Sequence, residues 1–205
     1  MKIADVKKVE PARPYRGLEG SWYALRTRAQ HEKVVRDRLA RLGFEQLMPT
    51  CTRVSHWHDR KKVIESPLFS GYCFAKFSAE ERITVLQIPG TAYIVGKEGV
   101  PEAIPCEEID ALKRLTKSGL YYEAAEFLSA GDFVEIIRGP LAGIRGTLGR
   151  RDGSHCVIIG VHLIQQGATV KVEMGDVRQV KDRGDGAPTV YGIRQAGLQH
   201  AVEAG

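Results

Sequence analysis

One short segment constrains the fold most strongly, because it is apolar on two sides. Its sequence is Gly71-Tyr72-Cys73-Phe74-Ala75-Lys76-Phe77. In a β-strand, successive side chains point to opposite faces, so Tyr72, Phe74 and Lys76 share one face. The other face carries Cys73, Ala75 and Phe77. We expect one face to pack against helices, and the other to be buried by a further element or to serve as a docking surface.

Glycine and charge are both unevenly distributed along the chain. Of the 22 glycines, 15 lie in residues 119–205. The net charge is +2 in residues 1–20, +4 in residues 21–120 and −1 in residues 121–205. A chain of 205 residues has room for one large domain or two small ones. We therefore predict two domains of different construction, of which the first, basic one suits an anionic partner.

Hydrophobic periodicity in residues 21–117 predicts the order β-α-β-β-β-α-β-α. The first strand begins at Ser21, and a helix runs from Glu32 to a glycine cap at Gly43. Further strands are predicted around residues 46–53, 54–64, 71–77 and 92–95, and further helices over 79–87 and around 109–115. This order is typical of an α+β domain that resembles a ferredoxin-like or RRM-like sandwich.

The second half reads as short strands separated by glycine-rich turns. The strands are predicted at residues 133–137, 145–150, 156–161 and 169–173. Strands this short at such regular spacing indicate a small β-barrel, here over residues 129–181. We predict a flexible leader over residues 1–20, a linker over 118–128 and a disordered tail over 182–205.

Motifs for catalysis and for nucleotide binding are missing from the sequence. We expect no enzyme activity and no cofactor, because no nucleophile, base and orienting group can be placed together. Cys51, His56 and His58 lack a fourth ligand at a convincing spacing, so we expect no metal site. The four widely spaced cysteines and the lack of an apolar run of about 18 residues predict a cytoplasmic protein that does not enter a membrane.

Three interpretations fit the aromatic strand when the residues are considered alone. The strand nearly matches the RNA-recognition consensus, with Ser70 in place of a basic residue and Ala75 in place of valine. Tyr72 and Phe74 could stack on bases, or they could accept a partner helix in an apolar groove. They could also be covered by another element of the same chain, since strand aromatics usually belong to cores. The residues leave these alternatives open.

Taken in order, several motifs resemble the NusG family of transcription elongation factors. Those of the first half are Trp22-Tyr23-Ala24-Leu25, Glu32-Lys33-Val34, Pro67 to Phe74, and Ile88-Pro89-Gly90 before Tyr93-Ile94-Val95-Gly96, and they are similar to the NGN domain. Gly131-Asp132-x-Val134-x-Ile136 with Gly139 to Gly146 is similar to the KOW motif. The resemblance spans about residues 21–180 and implies an NGN domain over 21–117 and an SH3-like KOW barrel over 129–181. Ser70 replaces a proline of the general family, so both a housekeeping factor and a specialised paralogue of the RfaH or UpxY type stay open.

The resemblance implies a transcription elongation and antitermination factor with a binding surface on each domain. On the NGN domain, the residues implied to bind the clamp helices of the largest RNA polymerase subunit are Phe69, Tyr72, Phe74 and Ile94. The residues implied to face upstream or non-template DNA are Arg28, His31, Arg36 and Arg38. On the KOW domain, Leu141 and Ile144 are implied to meet a ribosomal protein of the Nus complex or the Rho factor. The alternative is an RNA-binding or ribosome-associated KOW protein.

Overall fold

The computed structural model describes residues 20–57, 60–126, 132–151 and 153–180. The leader predicted for residues 1–20 lies outside the described residues except for Gly20, and so does the tail predicted for 182–205. The turn at residues 58–59 and the last two residues of the predicted linker, 127–128, lie outside them too.

The first half of the described chain alternates strands with three helices. Its elements are β1 (Ser21–Thr27), α1 (Glu32–Arg41), β2 (Glu45–Leu47), β3 (Thr50–Trp57), β4 (Arg60–Pro67), β5 (Tyr72–Phe77), α2 (Arg82–Leu86), β6 (Thr91–Ile94), β7 (Gly96–Lys97), β8 (Val100–Pro101) and α3 (Cys106–Lys117). The mixed α+β character predicted from periodicity is confirmed. The short hairpin of β7 and β8 was not predicted, because strands of two residues carry no periodic signal.

An antiparallel sheet of four strands, in the order β2-β5-β1-β6, forms the centre of this half. The strand predicted over 46–53 is instead divided into β2 and β3, and β3 pairs with β4 in a separate hairpin. The division falls at Pro49, which has no N–H to donate to a strand ladder. The carbonyl oxygen of Pro49 accepts a hydrogen bond from the Leu68 N–H at 2.8 Å instead.

Helices cover both faces of β5, whereas the alternation predicted helices on one face and left the other open. Cys73, Ala75 and Phe77 pack in one hydrophobic cluster with residues of α1 and α2. Phe74 lies on the opposite face, in a cluster that includes Ile109, Leu112 and Leu115 of α3. The sheet therefore lies between α1 and α2 on one side and α3 on the other, and the face that could have been a docking surface is largely covered by the chain itself.

The second half is an antiparallel sheet of six strands in the order β14-β10-β11-β12-β13-β9. Its strands are β9 (Tyr122–Glu126), β10 (Phe133–Ile136), β11 (Arg145–Arg151), β12 (Ser154–Val161), β13 (Gln166–Lys171) and β14 (Val177–Gln179). All the predicted strands are present, but β9 falls in the segment predicted as a linker. It pairs with β13, whose partner residues are 40 to 48 positions away in sequence, so local periodicity could not reveal it.

The two halves pack against each other through α3. The N–H of His162 donates to Glu108 Oε2 at 3.3 Å, and His162 Nδ1 lies 2.5 Å from Glu108 Oε1. Arg114 Nη2 donates to the carbonyl oxygens of Pro140 and Ala142, at 3.2 and 2.6 Å. Buried residues of both halves form one continuous hydrophobic cluster. The domains predicted from composition are therefore in contact in this structure and share part of their core.

A glycine in β11 makes possible the close approach of β12. A Cβ atom added to Gly146 would collide with the main-chain oxygen of Ile158 and would lie 2.7 Å from Val157 Cγ1. We expect Gly146→Ala to lower the free energy of unfolding by about 1–3 kcal/mol, because the added methyl group overpacks the sheet. Chemical denaturation followed by circular dichroism measures this change.

The matched control is Gly149→Ala in the same strand. Its added Cβ would lie 3.5 Å from Cys156 Sγ and from Ile158 Cδ1, which is ordinary contact. We expect its free energy of unfolding to stay within about 0.5 kcal/mol of the parent or to rise slightly. Equal destabilisation by the two substitutions would contradict the close approach at Gly146.

Candidate interaction surface

Two residues implied to bind RNA polymerase lie inside the protein. Phe69 is 1% exposed and Phe74 is 0% exposed. Their ring centroids are 5.8 Å apart in an edge-to-face arrangement, and both belong to the cluster that includes the inward side of α3. The expectation that these side chains are exposed for docking is wrong in this arrangement, because α3 and the second half bury the face that carries them.

The exposed end of the same face carries a row of three side chains across three strands. Arg26 of β1 pairs in register with Tyr72 of β5 on one side and with Tyr93 of β6 on the other. The guanidinium carbon of Arg26 lies 4.7 Å from the centroid of the Tyr72 ring, a cation–π contact. Tyr72 is half-buried, whereas Tyr93 is 54% exposed. We call these three residues the Tyr-Arg-Tyr row.

Ile94 does not belong to this surface. It pairs in register with Leu25 and packs against the cluster beneath α1 and α2, on the opposite face of the sheet from Phe74. The four residues implied to bind polymerase therefore do not form one patch. Of the four, Tyr72 alone combines partial exposure with a position on the α3 face.

A buried carboxylate fixes the backbone corner that precedes Tyr72. Glu32, the first residue of α1, is buried, and its Oε1 accepts a hydrogen bond from the Gly71 N–H at 2.7 Å. Gly71 has φ +80°, and a Cβ there would lie 2.5 Å from Arg26 Nη1. The positive φ is the reason that the corner needs glycine, whereas the tip of the flexible Arg26 side chain could move away from a Cβ. Arg26 Nη1 also donates weakly to the carbonyl oxygen of Ser70 at 3.4 Å, so the row and the corner support each other.

The basic residues implied to face nucleic acid do not form a single stripe. Arg28, His31 and Arg38 are exposed, and His31 Nδ1 lies 2.8 Å from the carbonyl oxygen of Ala29. Arg36 is half-buried and forms an ion pair with Asp37 at 2.7 Å. Residues two apart on a helix lie about 200° apart around its axis, so Arg36 and Arg38 point to different sides. Exposed arginines thus lie near both ends of α1, with Arg28 before its start and Arg38 in its last turn.

The side chains implied to recruit a second partner are also buried. Leu141 is 2% exposed and Ile144 is 4% exposed. Turn hydrogen bonds shape this loop, since the N–H of Gly143 donates to Ile136 O at 2.6 Å. Arg114 of α3 holds the outer carbonyl groups of the same loop. The expectation that the loop presents Leu141 and Ile144 to a partner is wrong in this arrangement, and their role in binding stays a prediction.

The cysteines behave as expected from their apolar surroundings. Cys51, Cys73 and Cys156 are buried, whereas Cys106 is exposed. Burial raises the pKa of the Cys73 thiol to about 12, so this thiol stays protonated at neutral pH. His58 lies outside the described residues. Within the described ranges, no group of three or more His, Cys, Asp or Glu side chains is placed to hold a metal ion.

Sequence reasoning missed Arg26 and Tyr93 as members of the surface. Both lie in predicted strands, but nothing local indicates that β6 pairs with β1 or in which register. The role of Glu32 was also missed, because its partner Gly71 is 39 residues away. Its one signal was an acidic residue at a helix start, which usually only complements the helix dipole.

The comparison with protein families supports the resemblance over the first half. Residues 20–113 match the model of a family described as transcription termination factor NusG. The match contains the four-stranded sheet, the Tyr-Arg-Tyr row and most of α3. The resemblance to the NusG family is thus confirmed over these residues. Among curated proteins, no sequence matches the chain significantly.

Solved structures that align with the chain include a NusG structure and a structure of an Spt4:Spt5 complex. Thermotoga maritima NusG, in a structure concerned with domain interaction, is 20% identical over 80% of this chain and 99% of its own, with a TM-score of 0.47. A chain of the MjSpt4:Spt5 complex, conformation B, is 20% identical over 78% of this chain and 96% of its own, with a TM-score of 0.27. At these TM-scores no conclusion is drawn from the alignments. The resemblance to the NusG family rests on the family match over residues 20–113. None of the helices in the described part of the chain is long and apolar enough to span a membrane.

Proposed function

We propose that the protein is a non-catalytic transcription elongation factor of the NusG type. The observation that carries the proposal is the family match over residues 20–113, which includes the whole four-stranded sheet and its aromatic strand. The factor would act in the cytoplasm, bind RNA polymerase through the first domain and suppress pausing and termination. It would need no cofactor for this, because the activity is binding.

The polymerase-binding surface of the proposal centres on the exposed end of the sheet. Tyr72 and Tyr93 offer apolar rings to the clamp helices of the largest subunit, in the manner of a helix that lies on an apolar surface. Phe69 and Phe74 would support this surface from below, since both are buried. Arg28 and His31, exposed near the start of α1, would face upstream or non-template DNA, where positive charge strengthens binding at low salt.

The second half would be the SH3-like KOW domain that recruits a further partner, either a ribosomal protein or Rho. Leu141 and Ile144 can reach such a partner only if the loop leaves its present surroundings. The contact of Glu108 with His162 holds the two halves together, and the contacts of Arg114 hold the loop against α3. The proposal therefore includes a separation of the two halves before the second partner binds. Whether the factor is a housekeeping protein or an operon-specific antiterminator of the RfaH or UpxY type depends on the partner recruited.

Tyr72→Ala tests the polymerase-binding surface. We expect an affinity for core RNA polymerase about tenfold lower than that of the parent, because a partly exposed aromatic anchor is lost. The loss is measured by biolayer interferometry with immobilised full-length chain. The matched control is Tyr121→Ala, since Tyr121 is exposed but lies beyond α3. Unchanged polymerase binding by Tyr72→Ala would contradict docking at this surface.

The Tyr-Arg-Tyr row also favours the second candidate function, an RNA-binding or ribosome-associated protein. Tyrosine rings and an arginine on a sheet surface can stack on the bases of single-stranded RNA. Under that function, the chain binds a single-stranded oligonucleotide tightly without polymerase, and high salt weakens the complex strongly. Titration of a fluorescent RNA therefore separates the two functions, since the polymerase-binding factor needs no such affinity.

A further inference from the structure

Arg26 is a half-buried cation, and no ion pair joins it to a carboxylate among the residues whose side chains the structure describes. Its described contacts are the ring of Tyr72 and the carbonyl oxygen of Ser70. The nearby carboxylate oxygen Oε1 of Glu32 is engaged by the Gly71 N–H at 2.7 Å. The guanidinium thus keeps most of its donors free at the exposed end of the sheet.

The surroundings of Arg26 differ from those of Lys113 in α3, the helix that packs on this face. Lys113 lies over the Trp22 ring at 4.6 Å and is neutralised by Glu45 at 2.7 Å. A partner that covers the Tyr-Arg-Tyr row removes water from Arg26, and an unpaired buried charge is costly. Such a partner binds well only if it supplies a compensating negative group.

From this arrangement we propose that the protein surface that docks on the Tyr-Arg-Tyr row presents an aspartate or glutamate to Arg26. The inference rests on the proposed function, because the partner is taken to be a helix of RNA polymerase. The planar guanidinium, held against Tyr72, can donate two parallel hydrogen bonds to the two oxygens of one carboxylate. Tyr93 on the far side of Arg26 adds apolar contact around that pair.

A carboxylate fits this place better than a nucleic-acid strand does. A strand is held by a series of cations along its phosphates and by free ring faces. Here Arg26 already covers a face of the Tyr72 ring, and the Lys113 charge is neutralised. One uncompensated cation between two tyrosines matches one acidic side chain with apolar neighbours.

Charge reversal at Arg26 tests the inference in the full-length chain with core polymerase free of nucleic acid. We expect Arg26→Glu to lower the affinity at least about tenfold, and more at low salt than at high salt. Arg26→Lys should cause a smaller loss, because an ammonium keeps the charge but lacks the two-point geometry. The matched control is Arg41→Glu, since Arg41 is an exposed cation on α1, which covers the opposite face of the sheet, and it should change the affinity less than about twofold.

The decisive measurement is rescue from the partner side. One Asp→Lys or Glu→Lys substitution on the polymerase helices should restore binding to Arg26→Glu and weaken binding to the parent chain. Thermal unfolding tests whether each variant is folded. If Arg26→Glu is unfolded, Arg26→Gln is used in its place. Binding unaffected by any Arg26 substitution, while Tyr72→Ala lowers the affinity about tenfold, overturns the acidic partner and leaves the proposed function standing. A parent chain that does not bind polymerase refutes the proposed function itself. Loss of single-stranded RNA binding on Arg26→Glu would assign the row to nucleic acid and overturn the inference.

Discussion

Phe74→Ala is expected to lower the free energy of unfolding by about 3–5 kcal/mol. The side chain is fully buried between β5 and α3 and contacts Phe69 edge to face. Removing the ring leaves a cavity that the surrounding strands and α3 cannot fill without moving. Urea denaturation of the full-length chain, followed by circular dichroism, measures the loss.

Tyr72→Ala is the matched control, because Tyr72 lies two residues away on the same face but is half-buried. Its loss removes the cation–π contact with Arg26 and part of the apolar contact, so we expect a decrease of at most about 2 kcal/mol. Similar stabilities of the parent and Phe74→Ala would show that the Phe74 ring is not packed in the core.

This difference changes which variant can test polymerase binding. From the sequence alone, the double variant of Tyr72 and Phe74 should remove a docking patch and leave the fold intact. The structure shows that the Phe74 substitution attacks the core, so lost binding by the double variant would not distinguish unfolding from a lost contact. Tyr72→Ala alone tests the surface.

Leu141→Ala is expected to lower the free energy of unfolding by about 2–5 kcal/mol. Leu141 is 2% exposed and belongs to the hydrophobic cluster that both halves share. Its truncation should also weaken the amide protection of β10 and β11, which flank the loop. Chemical denaturation together with hydrogen exchange measures both effects.

Ile137→Ala is the control for this substitution, because Ile137 lies at the start of the same loop and is 41% exposed. We expect it to lower the free energy of unfolding by less than about 1 kcal/mol. A Leu141→Ala chain as stable as the parent, but unable to bind a ribosomal protein or Rho, would instead restore the surface role that the sequence implied.

Some features of the fold and surface could be predicted because they are local. The alternation of Tyr72 to Phe77 correctly separated the two faces of β5, and the helix that begins at Glu32 was placed correctly. Other features depend on distant partners. Strand β9 and the Tyr-Arg-Tyr row exist through pairing with strands far away in sequence, which no local pattern encodes.

The sequence by itself determined the periodic pattern of the elements, the division into a basic α+β half and a glycine-rich β half, and the motifs of residues 20–113 that match the NusG family. Only the tertiary structure decided which apolar residues are surface and which are core. Leu141 and Phe74 read as docking residues in the sequence, yet both are buried where α3 and the two halves meet. The physical reason is that side-chain periodicity is set within one element, whereas burial depends on which other elements pack against it.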